Sequence, residues 1–166
     1  MSGQRSKLLL SLLAVIAVAV MIFIFSAQAG EDSSRLSNGL TKWVLTRVVP
    51  GFEDMPSGEQ AALLKRVGFI VRKIAHFSEY ALLALTLVVF LRNYRPDWQP
   101  KSMAFCAWGI ATLYACTDEL HQMFVDARGP SLRDVCIDSA GAVFGTLFSI
   151  TLAMIILRLK KRTSER

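Results

Sequence analysis

Arg72-Lys73-Ile74-Ala75-His76-Phe77-Ser78-Glu79-Tyr80 runs without a break into Ala81-Leu82-Leu83-Ala84-Leu85-Thr86-Leu87-Val88-Val89-Phe90-Leu91. The first half is crowded with ionisable groups. From Leu82 onward only Thr86 interrupts the apolar run. A stretch of this length and greasiness fits a membrane-spanning helix, which needs about 20 apolar residues. Charges at membrane depth are costly, about 2.5–3.5 kcal/mol for a central Arg, Lys or Asp. A chain that keeps them beside a span has a use for them.

Working outward, three more segments share this character. The spans are expected at about 8–25, 74–91, 103–120 and 135–157, within a single domain covering all 166 residues. Composition agrees: 53% of residues are hydrophobic, only 19% are charged, and the mean hydropathy is +0.42. A soluble domain of this size could not hide so much apolar surface. The expected fold is therefore an all-α membrane protein with four transmembrane helices and amphipathic helices in the long first loop.

The first span follows Arg5 and Lys7 and precedes Ala27-Gln28-Ala29, a plausible signal-peptidase site. Its apolar core exceeds the roughly 7–15 residues of a signal peptide, which favours a retained helix. Region 31–73 is expected to lie at the outer interface. Leu36, Leu40, Trp43 and Val44 recur at helical spacing there. Pro50-Gly51 breaks that helix, and Ser57 with Gln60 has capping-box spacing for a second one, which Gly68 could bend. Cys106, Cys116 and Cys136 form no framework and read as small hydrophobes between helices.

Basic residues set the orientation. Arg5 and Lys7, then Arg92, Arg95 and Lys101, then Arg158, Lys160, Lys161, Arg162 and Arg166 all fall on one side if there are four spans. Both termini are then cytoplasmic, in the bacterial inner membrane. The basic tail flanks an apolar helix, so membrane lipid and not nucleic acid is its expected partner. The same topology brings three polar clusters to the outer face: the start of span two, the end of span three (Asp118-Glu119-Leu120-His121-Gln122), and the start of span four.

Arg72, His76, Glu79 and Tyr80 share one helix face through i+3 and i+4 steps. Asp118, His121 and Gln122 share another. With Glu119, Arg128, Asp134 and Asp138 they make the candidate binding site. Ser131 is placed to cap the fourth span with Asp134 at the capping-box position. Asp138 lies inside the span and calls for a cationic partner among Arg72, Arg128 and His76. The same groups allow catalysis, with His76 or Glu79 as general base, Asp118 and Glu119 as partners, and Arg128 on an anion. His76, Glu79, Asp118 and His121 are weak metal-ligand candidates, since two His–carboxylate pairs resemble those of di-metal bundles. No cofactor motif is present. A small oligomeric transporter using buried carboxylates and a purely structural staple both remain open. Gly141 and Gly145 form a GxxxG pattern, usable inside the chain or in a homo-oligomer.

These clusters resemble the VanZ-like family of small bacterial membrane proteins. The resemblance rests on Phe25-Ser26-Ala27-Gln28, then Arg72-Lys73, Ala75-His76-Phe77 and Glu79-Tyr80. Asp118-Glu119, His121-Gln122, Phe124-Val125, Arg128, Asp134, Asp138 and Gly141 complete it. It covers nearly the whole chain. Where the family often has Pro-Gly before the arginine, this chain has Asp126-Ala127. The resemblance implies a multi-pass cell-envelope protein, in a family named for a link to glycopeptide resistance of the teicoplanin type. The two charge signs gathered at one outer interface suggest a lipid-linked cell-wall precursor or another anionic envelope ligand. A membrane-embedded hydrolase or transferase is the alternative.

Overall fold

The computed structural model describes residues 2–27, 30–124 and 130–164. These residues contain no strand. Five α-helices and one short turn of 3₁₀-helix follow each other: α1 (Ser2–Ser26), α2 (Gly30–Val48), the 3₁₀ turn (Phe52–Asp54), α3 (Ser57–Tyr94), α4 (Pro100–Gln122) and α5 (Leu132–Ser164). The all-helical expectation holds.

Of the four expected spans, three lie in helices long and apolar enough to cross a membrane: Gly3–Ser26, Ser57–Tyr94 and Leu132–Ile156. The Met103–Leu120 segment in α4 is not among them. Thr117, Asp118 and Glu119 dilute its C-terminal end. The four-span expectation is thus met for three segments.

Burial runs opposite to that of a soluble protein. Leu10, Phe105 and Leu113 are 66%, 71% and 68% exposed, whereas Asp118, Glu119 and Asp138 are buried. Apolar side chains turned outward suit a bundle whose solvent is lipid.

α3 touches all four other α-helices. At 1.5 Å per residue its 38 residues measure about 57 Å, nearly twice a hydrocarbon core of roughly 30 Å. It therefore has an apolar half and an extra half that carries α2. Gly68 does not break it. The helix is continuous, and Gly68 is buried where Asn38 and Thr41 of α2 approach within 3.5 and 3.6 Å of a virtual Cβ. The predicted second loop helix is thus simply the start of α3.

The expected helix of the first loop is α2, which buries Thr41 and Leu45, while Leu40 and Trp43 stay exposed with Arg47 stacked over the indole at 4.0 Å; the Leu36 side chain lies outside the described ones. One other loop expectation is corrected. Ser57 is the first helical residue and caps nothing. Gln60 instead donates to the carbonyls of Met55 (2.9 Å) and Glu53 (3.2 Å), tying α3 to the 3₁₀ turn. The Pro50-Gly51 break is present, with Gly51 at φ 73° in the left-handed region that favours glycine.

α3 and α5 run parallel and very close. A methyl group on Gly141 would strike the backbone carbonyl of Phe77, and one on Gly145 that of Ala81. The GxxxG face is therefore occupied within the chain, and a second copy would need a different surface. Ala107, Ala111 and Ala115, all fully buried, form the α4 counterpart of this small-residue stripe. Leu83, Ala84, Leu87, Val88 and Leu91 of α3 fill the space between. Cys106 is half-buried, but Cys116 and Cys136 are exposed and not packed between helices.

Candidate functional site at the polar end of the bundle

The end of α1, the middle of α3, the end of α4 and the start of α5 meet at one end of the bundle. Alternating chain direction requires this: α1 and α4 run one way, α3 and α5 the other. The hydrogen bonds that cross between helices here are formed by polar residues at helix ends.

Gln122 is the central donor. Its Nε2 donates to Ser26 Oγ at 2.8 Å and to Asp118 Oδ2 at 3.2 Å. One amide thereby joins the last residue of α1 to a buried carboxylate one turn back on α4. Glu119 faces the other way and accepts the backbone N–H of Ser131 at 2.7 Å. That is the bond a capping box would take from its own helix. Asp134, expected in that role, instead pairs with Lys73 of α3 at 2.5 Å. The start of α5 is therefore held by side chains of α3 and α4. Each supplies one of the charge-assisted contacts that stabilise a helix N-terminus.

His76 and Glu79 sit 3.5 Å apart, Nδ1 to Oε2, both largely shielded. Below them Tyr80 and Asp138 are almost completely buried, 0% and 2% exposed. The phenol oxygen of Tyr80 and Oδ1 of Asp138 have no hydrogen-bond partner among the described residues. Unsatisfied buried polar atoms are rare and expensive, at about 1–3 kcal/mol each. Asp118, Asp138, Glu79 and Tyr114 are the ionisable neighbours of Tyr80, so the phenol stands among carboxylates.

The sequence-derived site residues fall into three groups. Glu79, Tyr80, Asp118, Glu119, Gln122, Asp134 and Asp138 belong to this end, with His76 and the half-buried Arg72 at its rim. His121 turns to α1 and packs against Phe23, ring centroids 4.6 Å apart. Arg128 lies outside the described residues, as do Asp126 and Ala127 before it. Among the described residues no three His, Cys, Asp or Glu side chains gather as metal ligands, so the two His–carboxylate pairs do not combine.

Two contributors were not assigned their roles by sequence reasoning. Ser26 is the acceptor that draws Gln122 across to α1, and Lys73 is the cation that binds Asp134. Their signals were available: a hydroxyl closing an apolar run, and a lysine one turn before His76. Their partners are distant in sequence, 96 residues away for Ser26.

The sequence pattern of a family described as VanZ/LLP1 matches residues 11–156. No curated protein and no solved structure matches the chain.

Proposed function

The chain belongs to the VanZ/LLP1 family, and from that premise we propose that it is a multi-pass protein of the bacterial cytoplasmic membrane whose polar end engages a lipid-linked or anionic cell-envelope ligand. In this reading α4 also crosses the membrane, as the third of four spans, and both termini are cytoplasmic, so the polar end faces outward. One observation carries the proposal. Three helices deliver Lys73, His76, Glu79, Asp118, Glu119, Asp134 and Asp138 to one end of an otherwise apolar bundle. Cations at the rim, Arg72 and Lys73, would receive a phosphate. The buried carboxylates would meet hydroxyl or ammonium groups of the same headgroup.

The test is binding of a polyprenyl-phosphate lipid to the purified full-length chain in nanodiscs. Saturable binding is expected, weakened about ten-fold or more in Arg72→Gln, as befits loss of a hydrogen bond from a charged group. Absence of saturable binding defeats the reading. Teicoplanin susceptibility of a sensitive Gram-positive host expressing the chain tests the resistance role separately. Unchanged susceptibility would remove that role and leave lipid binding standing.

The His76–Glu79 pair favours a second reading, a hydrolase or transferase acting on such a lipid. A carboxylate that orients an imidazole is the usual support of a general base. Turnover of the bound lipid, abolished in His76→Ala and impaired in Glu79→Gln, would establish it; binding without turnover would exclude it.

A further inference from the structure

At the opposite end of α4 a groove of about 640 Å³ opens outward, lined by Trp98, Lys101, Ser102, Phe105, Cys106, Gly109, Ile110 and Leu113. Its size falls in the roughly 300–1,000 Å³ range of small-molecule sites. We propose that it holds one acyl chain of an anionic phospholipid, with the lipid phosphate at Lys101 and Ser102. The inference rests on the reading above that α4 crosses the bilayer.

Length is the first argument. From Lys101 to Leu113 is 12 residues of helix, about 18 Å, close to the ~15 Å depth of one leaflet. The groove thus matches one extended lipid tail. Its shape is the second. Phe105 and Leu113, largely exposed, rise from the groove, while Ser102, Cys106 and Gly109 are the small residues that line it. A Cβ on Gly109 would meet nothing within 4 Å.

Charge is the third. Lys101 is exposed at the mouth of the groove. The nearby Arg95 is already paired with Asp97 at 3.1 Å. Gln99, at the N-cap of α4, makes no side-chain hydrogen bond to the helix start. The first-turn N–H groups at Lys101 and Ser102 are therefore available to a phosphate beside the ammonium. A cation, a hydroxyl and a helix start at one end of an apolar trough suit a phosphodiester with a tail. The cytoplasmic leaflet, where this end lies in the four-span reading, is the anionic one.

Native mass spectrometry of the full-length chain in detergent with synthetic phosphatidylglycerol or phosphatidylcholine tests this. The wild type is expected to retain one phosphatidylglycerol in preference to phosphatidylcholine. Gly109→Phe, whose Cβ meets nothing within 4 Å, should fill the groove and abolish that retention at unchanged helicity. Lys101→Gln should reduce the preference roughly five-fold, the weight of one lysine near an anionic surface. Equal retention of both lipids, or undiminished retention by Gly109→Phe, would show only a general lipid shell and overturn the site.

Maleimide labelling of single cysteines at positions 97 and 124, in a chain whose three native cysteines are Ser, separates the two failures. Labels on the same side would overturn both the span and the lipid site. Labels on opposite sides with equal lipid retention would overturn the lipid site alone.

Discussion

The two ends of the bundle hold the same helices by different physics. At the end near Trp98, α3 and α4 meet through Val88, Leu91, Met103 and Ala107. One modest polar bond joins α1 there, from Asn93 to Ser11 at 3.3 Å. At the other end the helices meet through a glutamine, carboxylates, a lysine and a backbone N–H. In lipid, apolar contact adds little driving force between helices, so close packing must hold the first end. The second end relies on hydrogen bonds worth more individually and far costlier to break singly.

The largest expected effect lies between the two ends and would break both. Gly145→Leu drives a side chain into the Ala81 backbone, an overpacking that forces α3 and α5 apart. A loss of about 3 kcal/mol or more is expected, read as a collapse of the thermal unfolding midpoint in detergent. Little change would mean that the helices do not approach as closely as described.

Gln122→Leu comes next and probes the polar end. It strips Ser26 and Asp118 of their shared donor, and about 1–3 kcal/mol should be lost. Ser11→Ala, the matching change at the other end, should cost less, about 0.5–1.5 kcal/mol. Equal losses would erase the distinction between the ends.

Glu119 sharpens the comparison further. Glu119→Gln keeps an acceptor for the Ser131 N–H and should be nearly neutral, whereas Glu119→Ala should cost about 1 kcal/mol, as loss of a helix cap does. Hydrogen exchange at the start of α5 reads the difference directly.

The smallest effect is at the α3–α4 turn. Arg95 holds the Asp97 carboxyl below the usual range, first by hydrogen bond and then by charge. Any stability from the pair is present above the ordinary carboxylate pKa and lost as pH falls through the lowered one. Both groups are fully solvated, so Asp97→Asn should not measurably move the unfolding midpoint at any pH.

Much of the architecture was legible because a membrane makes the hydrophobic signal coarse. An uninterrupted run such as Leu8–Phe25 has few alternatives to a helix. Direction alternates from span to span, so the meeting of Glu79, Asp118 and Asp138 at one end followed from order alone. Local capping was less legible. Ser57 with Gln60 and Ser131 with Asp134 have the right spacing for caps, yet Gln60 reached for Met55 and Asp134 for Lys73. A spacing shows which bond is possible, and a closer partner from another helix can take the residue instead. The face that α2 turns to α3 was likewise not legible: Thr41 and Leu45 are buried, Thr41 beside Gly68, while Leu40 and Trp43 stay exposed.

By itself the sequence determined that this chain is a helical membrane protein with ionisable groups at one end, because burying charge in lipid leaves few arrangements. Only the tertiary structure decided which groups join: Gln122 to Ser26, Glu119 to Ser131, Asp134 to Lys73, and Gly141 and Gly145 against α3. Those choices depend on helix rotation and on sub-ångström approach between backbones. Hydrophobic pattern and residue spacing do not encode either.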